Sequence, residues 1–150
     1  MTGASGPLVL ELTLTLDASP ERIFQALTDP TELVKWWGPS GFTTPEIEID
    51  LRVGGSYRLG MQPPGGELFH LAGEFLEVGP PTRLSYSFRW EEPDPDDQET
   101  VVTLSLDAVA DRTRLSLWHG AFATEARLVL HRSGWTDSLQ RLSELHESAA

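Results

Sequence analysis

The stretch from Thr124 to His146 constrains the fold most, because it has the pattern of one long amphipathic helix. Its large apolar residues are separated by seven, four, three and three positions, which places them along one side of a helix. These residues are Leu128, Trp135, Leu139, Leu142 and Leu145. Thr124 is expected to cap the first turn, since its hydroxyl can accept from an unpaired backbone N–H. The helix spans roughly 33 Å, and a curved sheet is the available cover for its apolar side.

Gly134 stands inside this predicted helix, where glycine costs about 1 kcal/mol relative to alanine. We interpret it as a packing position, where the missing Cβ lets another element come close beside the ring of Trp135. The alternative is a weak point that the helix tolerates. The polar side of the helix is expected to face solvent, and it carries Arg127, Asp137, Gln140, Arg141 and Glu144.

Composition limits the function classes. The 150 residues suit one domain, expected at residues 8–147 after a disordered N-terminus at residues 1–7. The net charge of -12 argues against nucleic-acid binding and against an anionic membrane surface. The chain has no cysteine, which excludes disulfides and thiolate chemistry. No apolar run approaches the ~18 residues of a membrane span, so we expect a soluble, cytoplasmic protein without membrane insertion.

The residues before the helix alternate between apolar and polar types, as antiparallel strands do. Leu8 to Leu16 alternates strictly, and Leu84 to Trp90 does so again. Short turns rich in Gly and Pro separate the strands, which favours antiparallel neighbours. Two short helices are predicted after the first strand, one opened by Ser19 and Pro20 and one from Thr31 to Trp37. The prediction is an α+β fold, with a curved antiparallel sheet of about seven strands wrapped around the C-terminal helix.

Two of the middle strands have less regular patterns. Glu46 to Leu51 is predicted as a short strand. Glu67 to Val78 is predicted as the strand after the next hairpin, with Gly73 as a candidate bulge. Because its alternation is irregular, the sequence does not indicate the direction of the His70 side chain.

Several short motifs occur in an order that is similar to a known superfamily. They are Ala18 to Phe24, Leu27 to Pro30, Leu33 to Pro39, Arg52 to Tyr57, Gly73 to Phe75, Pro80 to Leu84, and Gly134 with Trp135. Together they resemble the START-like (SRPBCC, helix-grip) superfamily, and within it the bacterial branch named for the activator of the heat-shock-protein-ninety ATPase. The resemblance covers about Leu8 to Leu145 and implies the helix-grip fold. The superfamily reuses one cavity for lipid carriers, polyketide cyclases, hormone receptors and co-chaperone domains, so function has to be argued from the site.

Aromatic residues are the main candidates for a ligand site. Adjacent residues of a helix point about 100° apart, so one of Trp36 and Trp37 is expected in the core. The other is expected at a cavity mouth beside Phe42, although a purely structural role for both is the alternative. Tyr86, Phe88 and Trp90 share one strand face, with Tyr57 and Met61 on a neighbouring strand. This arrangement fits either solid packing or an apolar pocket whose hydroxyls orient a ligand, and the family resemblance favours the pocket.

The four histidines are the candidates for metal ligands and for catalytic groups. None has metal-ligand spacing to a carboxylate or a second histidine, so no metal and no cofactor are expected. His119 shares the parity of Leu115 and Leu117 and should point inward as a hydrogen-bonded polar residue near the rim. A general acid–base role is the alternative for it and for His131. The candidate ligand-binding residues are Trp36, Trp37, Phe42, Tyr57, Met61, His70, Tyr86, Phe88, Trp90, His119, Phe122, Trp135 and Leu139.

Other chemistry has no motif to support it. There is no Gly-x-Ser-x-Gly elbow, no P-loop and no Gly-x-Gly-x-x-Gly segment. The acidic segment from Glu91 to Glu99 lacks the spacing of a calcium loop and is interpreted as a solvated loop. The main hypothesis is therefore binding of a small hydrophobic ligand between sheet and helix, by a monomer or homodimer that is not an enzyme. The alternatives are an interaction module that acts on a chaperone and a cyclase-like or hydratase-like enzyme that uses the same cavity.

Overall fold

A seven-stranded antiparallel sheet and one long helix dominate the structure, a computed structural model that describes residues 7–147. Most of the predicted N-terminal disordered segment, residues 1–6, lies outside the described residues. In chain order the elements are β1 (Leu8–Leu16), α1 (Pro20–Thr28), α2 (Pro30–Leu33), β2 (Thr43–Ile49), β3 (Ser56–Gln62), β4 (Phe69–Gly79), β5 (Arg83–Trp90), β6 (Thr100–Val109), β7 (Arg112–Phe122) and α3 (Glu125–Leu145).

The sheet has the order β1-β7-β6-β5-β4-β3-β2, so the first two strands of the chain form its opposite edges. All neighbouring strands pair antiparallel. The helices α1 and α2 connect the two edges, and α3 packs against β1 and β7. The predicted α+β architecture is confirmed, including the curved open sheet and the C-terminal helix.

Local signals position the helix ends as predicted. The Ser19 hydroxyl accepts from the Arg22 backbone N–H at 3.3 Å, and the Thr124 hydroxyl accepts from the Arg127 N–H at 3.2 Å. The second short helix differs from its prediction, because α2 starts at Pro30 and ends at Leu33. Asp29 caps it by accepting from the Thr31 N–H at 2.9 Å.

The apolar side of α3 is shorter than its sequence pattern. Trp135, Leu139 and Leu142 are buried in the core, and Leu128 is half-buried. Leu145 is 48% exposed, so its predicted burial is wrong. It occupies the last position of the helix.

Gly73 allows close packing between strands and is not the site of the β-bulge predicted there. The register of β4 against β5 shifts between Phe75 and Glu77, beyond the predicted bulge. A Cβ at Gly73 would lie 1.9 Å from the carbonyl oxygen of Ser87 and 2.6 Å from Cε1 of Tyr57. The Tyr57 hydroxyl donates to the same Ser87 oxygen at 2.6 Å. The missing side chain at Gly73 therefore makes room for this interstrand hydrogen bond.

Candidate functional site

A cavity of about 370 Å³ lies between the sheet and α3, within the usual range for small-molecule sites. Its apolar wall consists of Trp37, Phe42, Met61, Phe69, Phe88, Trp90, Leu130 and Trp135. Its polar rim consists of Glu92, Asp94, Asp97, Arg127 and His131, and Gly38, Pro39, Gly134 and Ser138 complete the lining. Leu130 is 55% exposed and the Asp94 side chain is 64% exposed, so the cavity opens to solvent along this edge.

The structure separates the two adjacent tryptophans. Trp36 is fully buried, and its Nε1–H donates to the carbonyl oxygen of Ala26 at 2.9 Å. Trp37 lines the cavity, where its ring meets that of Trp135 edge-on at 5.3 Å between centroids. Among the described residues, the buried Nε1–H of Trp37 has no hydrogen-bond partner. Trp36 therefore belongs to the core, and Trp37 belongs to the wall of the cavity.

The other sequence-predicted residues fall into two groups. The cavity brings together Trp37, Phe42, Met61, Phe88, Trp90 and Trp135. Tyr57 and Tyr86 instead line a much smaller space next to Leu27 and Leu33, on the other side of Trp37. Burial raises the pKa of both phenols, and the Tyr57 hydroxyl is already bonded to Ser87. Leu139 is part of the core and does not line the cavity.

His119 is a fully buried member of a hydrogen-bonded chain behind the cavity wall. Its Nδ1 accepts from the Nε1–H of Trp135 at 2.9 Å, so the neutral ring carries its proton on Nε2. Nε2 donates to Oγ1 of Thr100 at 2.7 Å, and this hydroxyl reaches the carbonyl oxygen of Phe88 at 3.4 Å. Burial lowers the pKa of His119 well below its usual range. The residue is therefore a neutral structural group with both ring nitrogens occupied.

His131 borders the cavity, and both of its ring nitrogens are likewise hydrogen-bonded. Its Nε2 accepts from the Nε1–H of Trp90 at 3.0 Å, and its Nδ1 lies 2.6 Å from the carbonyl oxygen of Arg127. Burial also lowers the pKa of His131. Phe122 packs behind both histidines, with ring centroids 4.6 Å from His119 and 4.8 Å from His131. Neither histidine has a free nitrogen for proton transfer.

Arg127 joins the acidic segment to the first turn of α3. Its Nη2 lies 2.7 Å from Asp94, its Nε 2.9 Å from Asp96 and its Nη1 3.6 Å from Asp97. The Thr124 hydroxyl donates to Asp96 at 2.9 Å, which together with Arg127 holds the pKa of that carboxyl below its usual range. Most of this segment is exposed, as a solvated loop is, and in addition the guanidinium of Arg127 anchors it at the rim of the cavity.

His70 lies between two carboxylates at the outer side of the same segment. Its Nδ1 is 3.2 Å from Glu92 and its Nε2 is 3.1 Å from Glu46, and the hydrogen bond to Glu92 raises its pKa. Ligand atoms of His70, Glu91 and Glu92 lie within 4.8 Å of one another, a proximity that sequence spacing did not indicate. The Glu91 carboxylate is already paired with Nε and Nη2 of Arg58, both at 2.8 Å. His70 does not line the cavity.

Sequence reasoning missed several residues of the cavity. The sequence pattern places Arg127 on the solvent-facing side of the helix, but the residue lies at the rim and its side chain is only 18% exposed. The run of carboxylates from Glu91 to Glu99 is the one signal that the sequence offers, since clustered carboxylates are stabilised by a nearby cation. Phe69 was missed because its strand lacked clear alternation.

Gly134 has a different role from the predicted one. A Cβ at this position would meet only Cγ of Pro39, at 3.7 Å, which is an ordinary contact. The prediction that another element packs closely against Gly134 is therefore wrong, and the glycine instead contributes to the cavity lining. The nearby link between α3 and the segment before β2 comes from Ser138. Its hydroxyl accepts from the Gly38 N–H and donates to the Gly38 carbonyl oxygen, both at 3.0 Å.

Within residues 7–147, no helix combines the length and the apolar character that a membrane-spanning segment requires.

A search of curated proteins finds no match to the chain. Among solved structures, the chain is similar to a Chromobacterium violaceum protein, with 29% identity and a TM-score of 0.85, covering 94% of this chain and 98% of that one. A Nitrosomonas europaea protein is 27% identical with a TM-score of 0.79, covering 95% and 96%. An AHSA1 protein from Silicibacter pomeroyi is 28% identical with a TM-score of 0.78, covering 91% and 95%.

The family comparison agrees with the fold and with the resemblance noted in the sequence. The family model described as Activator of Hsp90 ATPase homolog 1-like protein matches residues 17–147, which is most of the chain. The seven-stranded sheet around a C-terminal helix is the START-like architecture that this resemblance implied. The chain belongs to the Activator of Hsp90 ATPase homolog 1-like family.

Proposed function

We propose that this protein binds a small, mainly apolar ligand in the cavity between the sheet and α3, and that it carries, senses or sequesters that ligand without transforming it. The observation that supports this function is the cavity of about 370 Å³ with an aromatic wall. A cavity of this size holds a ligand of two to three fused or linked rings, since small-molecule sites begin near ~300 Å³.

Burial of carbon surface supplies the affinity in this proposal. Each 100 Å² of apolar ligand surface removed from water contributes about 2.5 kcal/mol before the costs of association. The rings of Trp37 and Trp135 stand edge-on and those of Phe69 and Trp90 are tilted, so a flat ligand can contact ring faces and ring edges.

The two alternative functions have weaker support. A cyclase-like or hydratase-like reaction that used a buried histidine would need a free ring nitrogen, but both buried histidines next to the cavity are hydrogen-bonded through both nitrogens. An interaction with a chaperone is suggested by the family name alone. The cytoplasmic location and the monomeric or dimeric state also stay predictions.

Gly134 offers a direct way to test the cavity. The test is a titration with the neutral fluorescent probe N-phenyl-1-naphthylamine, which emits strongly in apolar sites. Wild type is compared with Gly134→Leu, whose side chain would extend into the cavity, and with the matched control Gly134→Ala, whose Cβ has room beside Pro39. Melting temperatures of all three proteins are recorded to verify folding.

We expect wild type and Gly134→Ala to bind the probe with micromolar affinity and Gly134→Leu to lose binding while it stays folded. If wild type does not bind the probe, or if the folded Gly134→Leu protein binds it as tightly as wild type, the cavity is not the functional site. A chaperone-binding surface then becomes the better hypothesis.

A further inference from the structure

We infer that the ligand is a cationic amphiphile, with an aromatic or alkyl body in the cavity and a protonated amine or amidine at the rim formed by Glu92, Asp94 and Asp97. This inference rests on the proposed function and adds the chemical class of the ligand. It follows from the charges and from the hydrogen-bonding capacity of the groups that line the cavity.

The charges at the rim do not balance. Three carboxylates line the cavity there, and Arg127 is the one cationic side chain that lines it within the described part of the chain. The hydrogen bond from the His70 backbone N–H to Glu92 lowers the pKa of that carboxyl, so Glu92 is ionised at neutral pH. His131 adds no positive charge, because burial lowers its pKa and both ring nitrogens are bonded. His70, behind the lining, offsets part of the charge of Glu92. Arg127 alone faces Asp94, Asp96 and Asp97, so the rim is negative.

Arg127 is not available to bind an anionic ligand. Each of its three nitrogens already faces a different carboxylate, with the two shortest contacts at 2.7 Å to Asp94 and 2.9 Å to Asp96. A ligand carboxylate or phosphate would have to displace one of these aspartates and would then lie beside the remaining ones. This repulsion disfavours fatty acids and other anionic amphiphiles, since like charges in one site destabilise each other.

Hydrogen-bond donors of the cavity wall are also engaged, whereas the rim carboxylates keep acceptor capacity beyond their existing bonds to His70, Arg127 and the Asp94 backbone N–H. The indole N–H groups of Trp90 and Trp135 donate to histidines, and the Ser138 hydroxyl donates to Gly38. Among side-chain donors of the described lining residues, only the buried Nε1–H of Trp37 lacks a partner. Carboxylates offer about four acceptor positions each. A polar end that donates hydrogen bonds therefore complements the carboxylates at the rim, while the indole N–H of Trp37 can donate to one acceptor in the body of the ligand.

The aromatic rings near the rim favour a cation for a separate reason. Phe69 and Trp90 line the wall with ring centroids 5.3 Å apart. Glu92 follows Trp90 by two positions, and its carboxylate accepts from the backbone N–H of His70, the residue after Phe69, at 2.8 Å. The carboxylate and the two rings therefore lie at one end of the cavity. Aromatic faces attract ammonium and guanidinium groups by about 0.5–2 kcal/mol. A cation at this end can interact with both.

Three probes with the same ring system and different charge test the inference. They are 2-naphthylmethylamine, which is protonated at pH 7, neutral 2-naphthalenemethanol and anionic 2-naphthoate. Each competes with N-phenyl-1-naphthylamine for wild-type protein at low ionic strength, with a chelator present to remove divalent metal ions. We expect the amine to displace the fluorescent probe at a concentration about tenfold lower than the alcohol, and the carboxylate to be the weakest.

Variants separate a local effect from the overall negative charge of the protein. The double variant Glu92→Gln with Asp94→Asn should reduce the preference for amine over alcohol to about twofold or less. Asp111→Asn, a single neutralisation, should leave that preference unchanged, because Asp111 lies in the turn between β6 and β7 and does not line the cavity.

Two outcomes would overturn the inference while leaving the proposed function intact. The first is displacement by naphthoate as strong as that by the amine. The second is an amine preference that survives in the rim variant or falls to the same extent in Asp111→Asn. Failure of N-phenyl-1-naphthylamine itself to bind would instead remove the proposed function, and this inference with it.

Discussion

The Nε1–H of Trp135 donates a hydrogen bond to Nδ1 of His119 at 2.9 Å, where α3 packs against β7. This bond fixes the ring of a residue that lines the cavity and also determines which nitrogen of His119 carries the proton. The wall of the cavity and the buried core are therefore connected through one indole N–H.

Replacing the indole of Trp135 should destabilise the protein. Trp135→Phe keeps an aromatic ring but leaves Nδ1 of buried His119 without a donor, which costs about 1–3 kcal/mol in addition to the lost packing. Urea unfolding measures the change. Trp118→Phe is the control, because Trp118 is 38% exposed and should change the free energy of unfolding by about 0.5 kcal/mol or less. Equal stabilities of the two variants would contradict the structural role of this bond.

Gly73 should tolerate no side chain. The Cβ of Gly73→Ala would overlap the Ser87 carbonyl and the Tyr57 ring, so β4 and β5 would have to move apart. We expect a loss of about 3 kcal/mol or more, or failure to fold. Gly79→Ala on the same strand is the matched control, since its Cβ would lie 3.6 Å from the nearest atom, in ordinary contact. Thermal unfolding of both variants tests the difference, and a fully stable Gly73→Ala protein would show that the close approach is absent.

Gly134 should respond to alanine in the opposite direction. The position is helical and the added Cβ has room, so Gly134→Ala should stabilise the protein by up to about 1 kcal/mol. If Gly134 were a close-packing position, as the sequence suggests, the same substitution would instead destabilise the protein. A lower melting temperature for Gly134→Ala would restore that role.

The buried histidines should make the protein less stable in mild acid. The pKa values of His119 and His131 are lowered in the folded state, so below the ordinary value near 6.5 the unfolded chain binds more protons than the folded one. Their contribution is complete above that pH and is lost as the pH falls toward the folded pKa values, by at most about 1.4 kcal/mol per pH unit for each histidine. NMR titration of the histidine ring protons tests this prediction, and a His119 midpoint at or above 6.5 would contradict it.

His70 should show the opposite dependence. Its pKa is raised by Glu92, so its stabilising contribution is complete below about pH 6.5 and is lost as the pH rises through the higher folded value. In the same NMR titration we expect the His70 resonance to have a midpoint above 6.5, and His70→Gln identifies it by its absence. If the resonance removed by that substitution titrates below 6.5, the pairing with Glu92 and Glu46 does not persist in solution.

The group of His70, Glu91 and Glu92 should not hold a tightly bound metal ion. The Glu91 carboxylate is paired with Arg58, and His70 is bonded to carboxylates through both nitrogens. We expect elemental analysis after dialysis against a chelator to find no stoichiometric zinc or iron. A stoichiometric metal that disappears in His70→Gln would identify this group as a metal site.

The fold could be predicted from the sequence because its signals are local. The alternation of Leu8 to Leu16 and the apolar spacing of α3 depend on the geometry of single elements. The caps at Ser19 and Thr124 likewise involve residues three positions apart. Such contacts form whenever the segment adopts its secondary structure, so the residue pattern alone indicates them.

The candidate site depended on contacts between distant parts of the chain. Arg127 binds carboxylates more than 30 positions away, and Tyr57 uses its hydroxyl for an oxygen 30 positions away. Residue type does not specify such partners, because a guanidinium on a helix surface and a phenol on a strand have many possible neighbours. Trp37 and not Trp36 lines the cavity because the Trp36 indole bonds to Ala26 while the Trp37 ring meets Trp135. The rim is acidic because the sheet brings the segment after β5 beside the first turn of α3.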